Sequence, residues 1–357
     1  MITLVLLLVT QDARASEPLT LNDKISVLLG KVDPQGPGLS LLVRHNDQVQ
    51  GQYHRGLANK IEQLGINNHT GFRLGSIAKP FTAIAVMQLI EKGSLSLDDA
   101  VTTYLPTLGA KWQKISIRQL LSHRVSLSRD FFSDANLALA NGADNRALLA
   151  FITSSRVQVK PREQDEAIYC NSCYVLLAEI VAAASGESFA TYMRRHIFAP
   201  AGMVDSYLVE KGTKLSADAA LNFGKSPRFF GIEQYTTGAM AQISSLEDLN
   251  KFIIALKQGA LISRETLKLM TQVHADMGND GLYGLGWEIG YGDEPFFAHG
   301  GSQDGYQTQL FFYPKYNLEI VALANNGDSG YELTQELIHT IVMHYKNGSG
   351  NKATQRE

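Results

Sequence analysis

Ser76 and Lys79 stand three residues apart in Gly75-Ser76-Ile77-Ala78-Lys79-Pro80, at the mouth of a predicted helix, so a hydroxyl and an amine share one helical face. A serine hydroxyl is a weak nucleophile at neutral pH, and a lysine whose pKa is lowered by desolvation can take its proton. The unpaired N–H groups of the first helical turn are aimed at any anion that develops beside the serine. Spacing alone does not select this pair, because about one S-x-x-K match is expected by chance in a chain of this length. Ser349-Gly350-Asn351-Lys352 is a second match, and the same tail holds Tyr345-Lys346-Asn347 and Lys346-Asn347-Gly348. No predicted element holds those tail groups in place, so they are set aside.

Order and context favour the first pair. Some ninety residues further on, Ile168-Tyr169-Cys170-Asn171-Ser172 precedes a second predicted helix, and Phe297-Ala298-His299-Gly300-Gly301 lies on a predicted strand. These three sites, in this order, resemble the serine β-lactamase and penicillin-binding protein superfamily. The likeness is strongest to its branch of class C β-lactamases, D-Ala-D-Ala carboxypeptidases, D-aminopeptidases and esterases. Phe72 to Thr82, Gly93-Ser94-Leu95-Ser96-Leu97-Asp98-Asp99, Pro200-Ala201-Gly202-Met203, Gly238-Ala239-Met240 and Tyr283-Gly284-Leu285-Gly286-Trp287 extend the resemblance over nearly the whole chain.

The chemistry, supported by the resemblance, gives each residue a role. Ser76 is expected to attack a carbonyl and form an acyl-enzyme, with Lys79 taking or relaying its proton and Tyr169 shuttling that proton to the leaving group. Either Lys79 or Tyr169 could be the base. The Asn171 amide suits a substrate carbonyl or Lys79, and the N–H groups of Ser76 and Ser302 would form the oxyanion hole. His299, Gly300 and Gly301 match the third site, with the two glycines letting a substrate backbone lie along the strand edge. Relatives often carry lysine where His299 stands, and an imidazolium there is expected to hold a substrate carboxylate less firmly. A second departure is Leu120-Leu121-Ser122-His123-Arg124-Val125-Ser126-Leu127, where relatives read His-Thr-Ser-Gly-Leu; loss of that glycine is expected to reshape a loop at the cleft.

The elements that must position these groups follow from periodicity. Residues 38–54 alternate around His45-Asn46-Asp47 and predict a hairpin. Helical patterns dominate from Ile77 to about Lys257: Ala83, Met87 and Ile90 share a face before Lys92-Gly93, and Tyr174 to Ala184 is closed by Gly186. Alternation returns from Tyr283, followed by a helix through Leu333, Leu337, Ile341 and His344 and a frayed tail from about Lys346. The fold class expected is α+β, β-lactamase/transpeptidase-like: one antiparallel sheet built from both chain ends, flanked by helices, with a mostly helical inserted lobe. Residues 16–75 and 268–357 would form the α/β lobe and 76–267 the helical one, with the active site between them.

The whole chain has 357 residues, 45% of them apolar, a net charge of −3 and two cysteines. That balance argues against nucleic-acid binding, and two cysteines cannot fill a four-ligand zinc site. No histidine spacing indicates a metal, and the chemistry needs no cofactor. The apolar run Ile2 to Val9, followed by Ala13-x-Ala15, predicts a signal peptide over residues 1–15 and export to the periplasm or medium. Cys170 and Cys173 read equally as buried thiols or as a local disulfide, and Trp287 as a sheet-core aromatic. The expected partner is a small-molecule or peptide substrate. The function expected is a serine acyl-hydrolase acting on a small amide or ester, with a D-amino-acid peptide or cell-wall fragment favoured. Its alternatives are an esterase or β-lactamase of the same fold, or a penicillin-binding sensor without turnover.

Overall fold

The computed structural model describes residues 19–132, 142–221, 234–303 and 305–353, so the predicted signal segment lies outside the described residues. Eight strands form the main sheet: β1 (Leu39–His45), β2 (Gln48–Arg55), β3 (Ala275–Asp276), β4 (Leu282–Tyr283), β5 (Glu288–Gly290), β6 (Phe296–Gln303), β7 (Tyr306–Tyr313) and β8 (Leu318–Ala324). Their spatial order is β3-β4-β5-β6-β7-β8-β1-β2. Every pairing is antiparallel, and the two chain ends meet where β1 pairs with β8 from Leu39↔Ala324 to His45↔Leu318. The predicted hairpin is β1–β2, closed by Asn46 and Asp47 at φ of 51° and 62°, as a tight two-residue turn requires.

Helices cover both faces, and the period-two alternation of the strands sorts their side chains between them. Leu41, Val43, Ile320 and Ala322 pack with Ile25 of α1 (Leu21–Leu29) and with Leu337 and Ile341 of the closing helix. Leu42, Leu310, Val321 and Leu323 face the core formed by α2 (Ala78–Glu91), α3 (Asn171–Ser185) and α4 (Leu246–Gln258). The closing helix, α5 (Asp328–Ala353), runs past Lys346, so the expected frayed tail continues as helix.

α2 differs from its one-faced expectation in that every residue from Ala78 to Leu89 is buried, Lys79 included. A helix apolar all round belongs in the middle of a core. The inserted region is also less purely helical than its periodicity suggests. Phe72–Arg73, Gln242–Ser244 and Tyr207–Leu208 form a small sheet, and Val125–Leu127 pairs with Val159–Pro161. Strands of two or three residues are too short to show a period. The small sheet is nonetheless what fixes the site: Leu74 N donates to Gln242 O at 2.9 Å just before Ser76.

Candidate active site

Gly75–Ile77 form one 3₁₀ turn leading into α2, with Ser76 partly exposed at its centre. Gly75 has φ +53°, and a Cβ on it would lie 2.9 Å from Ser302 N. On the opposite strand a Cβ on Gly301 would lie 2.0 Å from Leu74 O. The Ser76 turn and β6 therefore approach backbone to backbone, which sets the Ser302 N–H beside Ser76. Thr308 on β7 ties the contact by donating its hydroxyl to Leu74 O at 2.8 Å. Gly301 accordingly admits the Ser76 turn and not the substrate backbone expected there. A Cβ on Gly300 would meet no closer neighbour than the Gln309 side chain at 3.3 Å.

Lys79 is fully buried on the first turn of α2, its Nζ 2.9 Å from Ser76 Oγ and 3.0 Å from Ala239 O. Among the described residues no carboxylate lies within ion-pair distance of it. Desolvation holds its pKa well below the usual lysine value, with only the more distant Glu288 pulling the other way. The Tyr169 hydroxyl interacts electrostatically with Ser76, and Lys79 Nζ sits 4.8 Å from the centre of the Tyr169 ring. Burial pushes the Tyr169 phenol well above 10. The same desolvation thus favours a neutral amine on Lys79 and a protonated hydroxyl on Tyr169.

The segment carrying Tyr169 is irregular and is held from outside. Ala167 N donates to Asp276 O on β3 at 3.1 Å, Ile168 N to His123 O at 3.1 Å, and Cys170 N to His123 Nδ1 at 3.1 Å. Cys170 and Cys173 are joined in a disulfide with Cα atoms 5.3 Å apart, which resolves the choice left open by the sequence. Cys170 also caps α3, accepting from Cys173 N at 3.1 Å. Asn171 is the first residue of α3, and its Oδ1 is buried with no hydrogen-bond partner, an acceptor that a substrate N–H would satisfy.

His299 requires a correction. It is fully buried on β6, with Nδ1 2.6 Å from Gly300 O and Nε2 2.9 Å from the Tyr283 hydroxyl. Nδ1 must then carry the hydrogen and Nε2 accept from Tyr283, so both nitrogens are committed. Burial and the nearby Lys79 push its pKa down to about 3. It stands as a neutral ring that orients Tyr283, and the expected imidazolium contact to a substrate carboxylate has no proton to make it.

Several neighbours of the site had no role assigned to them from the sequence. His123, at φ 60°, packs its ring 4.5 Å from Tyr169 and 4.4 Å from Tyr283, while Tyr174 donates to Leu121 O at 2.7 Å. His123 looked like any scattered histidine because the contact that gives it meaning, Cys170 N, is 47 positions away. Burial drives His123 well below the usual imidazole value and Tyr283 well above the usual phenol value.

This geometry can be set beside known proteins. The family model described as Beta-lactamase matches residues 21–339. The chain belongs to the β-lactamase family. Among curated relatives of this β-lactamase-family chain, penicillin-binding protein 4* of Bacillus subtilis (strain 168) is 29% identical over 308 residues, covering 78% of this chain and 67% of that protein. Protein flp of Staphylococcus aureus (strain COL) is 26% identical, covering 86% and 64%. The chain thus spans about two-thirds of the length of these relatives. Among solved structures, D-amino acid amidase from Ochrobactrum anthropi SV3 complexed with D-phenylalanine superposes with a TM-score of 0.75 at 21% identity, covering 91% of this chain and 99% of that one. The fold is the β-lactamase/transpeptidase fold expected from the three motifs. The loop expected to be reshaped by loss of a glycine is, in this family member, the short strand Val125–Leu127 paired with Val159–Pro161, and Ser126 has an ordinary negative φ. Among the described residues no group of His, Cys, Asp and Glu could hold a metal, and no single helix is long and apolar enough to cross a membrane.

Proposed function

We propose that this protein is a serine acyl-hydrolase that forms a covalent acyl-enzyme at Ser76 with a small amide or ester. The observation that carries this reading is the buried Lys79 amine, 2.9 Å from Ser76 Oγ and, among the described residues, without a carboxylate partner. A neutral lysine is a base; Tyr169, kept protonated by burial, is an acid. Lys79 takes the hydroxyl proton as Ser76 Oγ bonds to the carbonyl carbon. The oxyanion is received by the N–H groups of Ser76 and Ser302. As the bond to the leaving group breaks, the proton passes from Lys79 through the Tyr169 hydroxyl to the departing nitrogen or oxygen. Water then repeats the sequence on the acyl-enzyme.

A D-amino-acid amide or peptide is the substrate class favoured, supported by the shared fold with D-amino acid amidase and by the unpaired Asn171 Oδ1. Committed hydrogen bonds on His299 weigh against a dedicated β-lactamase, whose substrates carry a carboxylate. Export is part of the proposal, supported by the Cys170–Cys173 disulfide, which belongs to oxidising compartments. Incubation with a fluorophosphonate followed by intact mass measurement tests the nucleophile: one adduct is expected on the wild type and none on Ser76→Ala. An adduct that persists in Ser76→Ala overturns the assignment.

A further inference from the structure

The ladder between β5 and β6 ends early. Glu288 pairs with Ala298, Ile289 with Phe297 and Gly290 with Phe296, whereas β6 runs on to Gln303 beside β7. Alternate N–H groups of a strand point the same way, so the N–H groups of Gly300 and Ser302 both emerge from the edge that β5 leaves bare. Ser302 N is the one beside the nucleophile turn. Gly300 N, roughly 6.6 Å along the edge, donates to Glu288 Oε1 at 3.4 Å. The Glu288 carboxyl therefore stands on the same open edge as the oxyanion position, two strand residues away.

Its surroundings do not neutralise it. Its side chain is 39% exposed, and its nearest charged-type neighbour is His299 Nδ1 at 3.5 Å, whose hydrogen is given to Gly300 O. Among the described residues no lysine or arginine lies within ion-pair distance of it. Lys79 on α2, Tyr169 ahead of α3, Tyr283 on β4 and His299 on β6 face it, and burial presses each of the four toward its uncharged form. A carboxylate beside neutral groups, reachable from solvent, is left to find its countercharge in whatever lies along the edge.

We propose that Glu288 is a charge-reading residue for the substrate, accepting an ammonium about two strand positions from the scissile carbonyl and turning away a carboxylate there. The inference rests on the acyl-hydrolase reading and narrows its substrates to molecules with a free amino group. Partial desolvation of this part-exposed carboxyl raises it to about 7, so the preference strengthens as pH rises through that value.

Three isosteric anilides test it: glycyl-, propionyl- and malonyl-D-alanine p-nitroanilide place an ammonium, a methyl group or a carboxylate at one position. In the wild type at pH 7.5, kcat/KM is expected to be at least tenfold higher for the glycyl than for the propionyl compound, and lowest for the malonyl one. Glu288→Gln is expected to bring the glycyl-to-propionyl ratio down at least tenfold and to raise the malonyl-to-propionyl ratio. A ratio is internal to each variant, so partial misfolding does not mimic it. If Glu288→Gln does not fold, the wild-type glycyl-to-propionyl ratio still decides, since it must climb between pH 5.5 and 7.5. Ratios unchanged within twofold in Glu288→Gln, or flat across that pH range, overturn the proposal while leaving the nucleophile assignment intact. Fluorophosphonate labelling of Ser76 with no turnover of any anilide also defeats it, and absence of both labelling and turnover defeats the acyl-hydrolase reading with it.

Discussion

Arg44 and Lys79 are both buried basic side chains, one on β1 and one on α2, and they are surrounded in opposite ways. Arg44 donates to Asn250 Oδ1 and to Asp47 O at 2.8 Å, and its Nε lies 3.6 Å from Glu319 on the neighbouring strand. Lys257 joins the same cluster, 2.6 Å from Asp47 and 2.5 Å from Glu319. Every charge there has an opposite one beside it. Lys79 has a hydroxyl, a carbonyl and aromatic rings instead. Burying an ion without a countercharge is costly, and a lysine can escape the cost by losing its proton where an arginine cannot. On the acyl-hydrolase reading, the contrast separates a charge kept for structure from an amine kept for reaction.

Breaking the contrast at Lys79 should give the largest effect. Lys79→Met is expected to lower kcat/KM about 10²–10⁴-fold with no loss of stability, read from initial rates and from urea unfolding of the same preparation. Retention of activity within tenfold would show that Tyr169 alone suffices. Arg44→Met should do the reverse, costing about 3–5 kcal/mol in urea unfolding because Glu319 loses a partner, with the rate per folded molecule unchanged. Opening the disulfide tests the segment between the two regimes. Cys170→Ser/Cys173→Ser is expected to lose about 2 kcal/mol of stability on loop-closure grounds, and more of its activity than of its stability, because Tyr169 and Asn171 flank Cys170.

A graded effect sharpens the comparison through pH. Because Lys79 releases its proton more readily folded than unfolded, the unfolded chain binds more protons between the lowered value and 10.5. Stability should therefore rise with pH across that window, by at most about 1.4 kcal/mol per pH unit. The rise should vanish in Lys79→Met and persist in Arg44→Met, measured as urea midpoints from pH 7 to 10. An identical slope in Lys79→Met would assign it to another group.

What the sequence made legible, and what it hid, divide along the same line. Ser76 and Lys79 are three positions apart, so helical geometry alone predicts their meeting, and the sheet's assembly from both ends follows from where alternation occurs. The partners of His299 were invisible because nothing local announces that Tyr283 occupies Nε2 and Gly300 O occupies Nδ1. A histidine on a strand reads as titratable until its burial is known. Glu288 was hidden for a related reason: its position matters only because the β5–β6 ladder stops at Ala298, and ladder length is a tertiary property. Gly301 was noticed for the right reason, freedom from a side chain, and given the wrong beneficiary, since Leu74 O fills the space.

The pairing of β1 with β8 has a consequence for synthesis. The nucleophile helix leaves the ribosome more than two hundred residues before Ser302 does, an interval of roughly 10–45 s at ordinary elongation rates. During that interval the β1–β2 hairpin has no β8 to lie against, and the nucleophile turn has no β6 to complete it. On the acyl-hydrolase reading, Ser76 can therefore react only after β6 has been made, so the order of translation delays catalysis until long after the Ser76 helix has emerged.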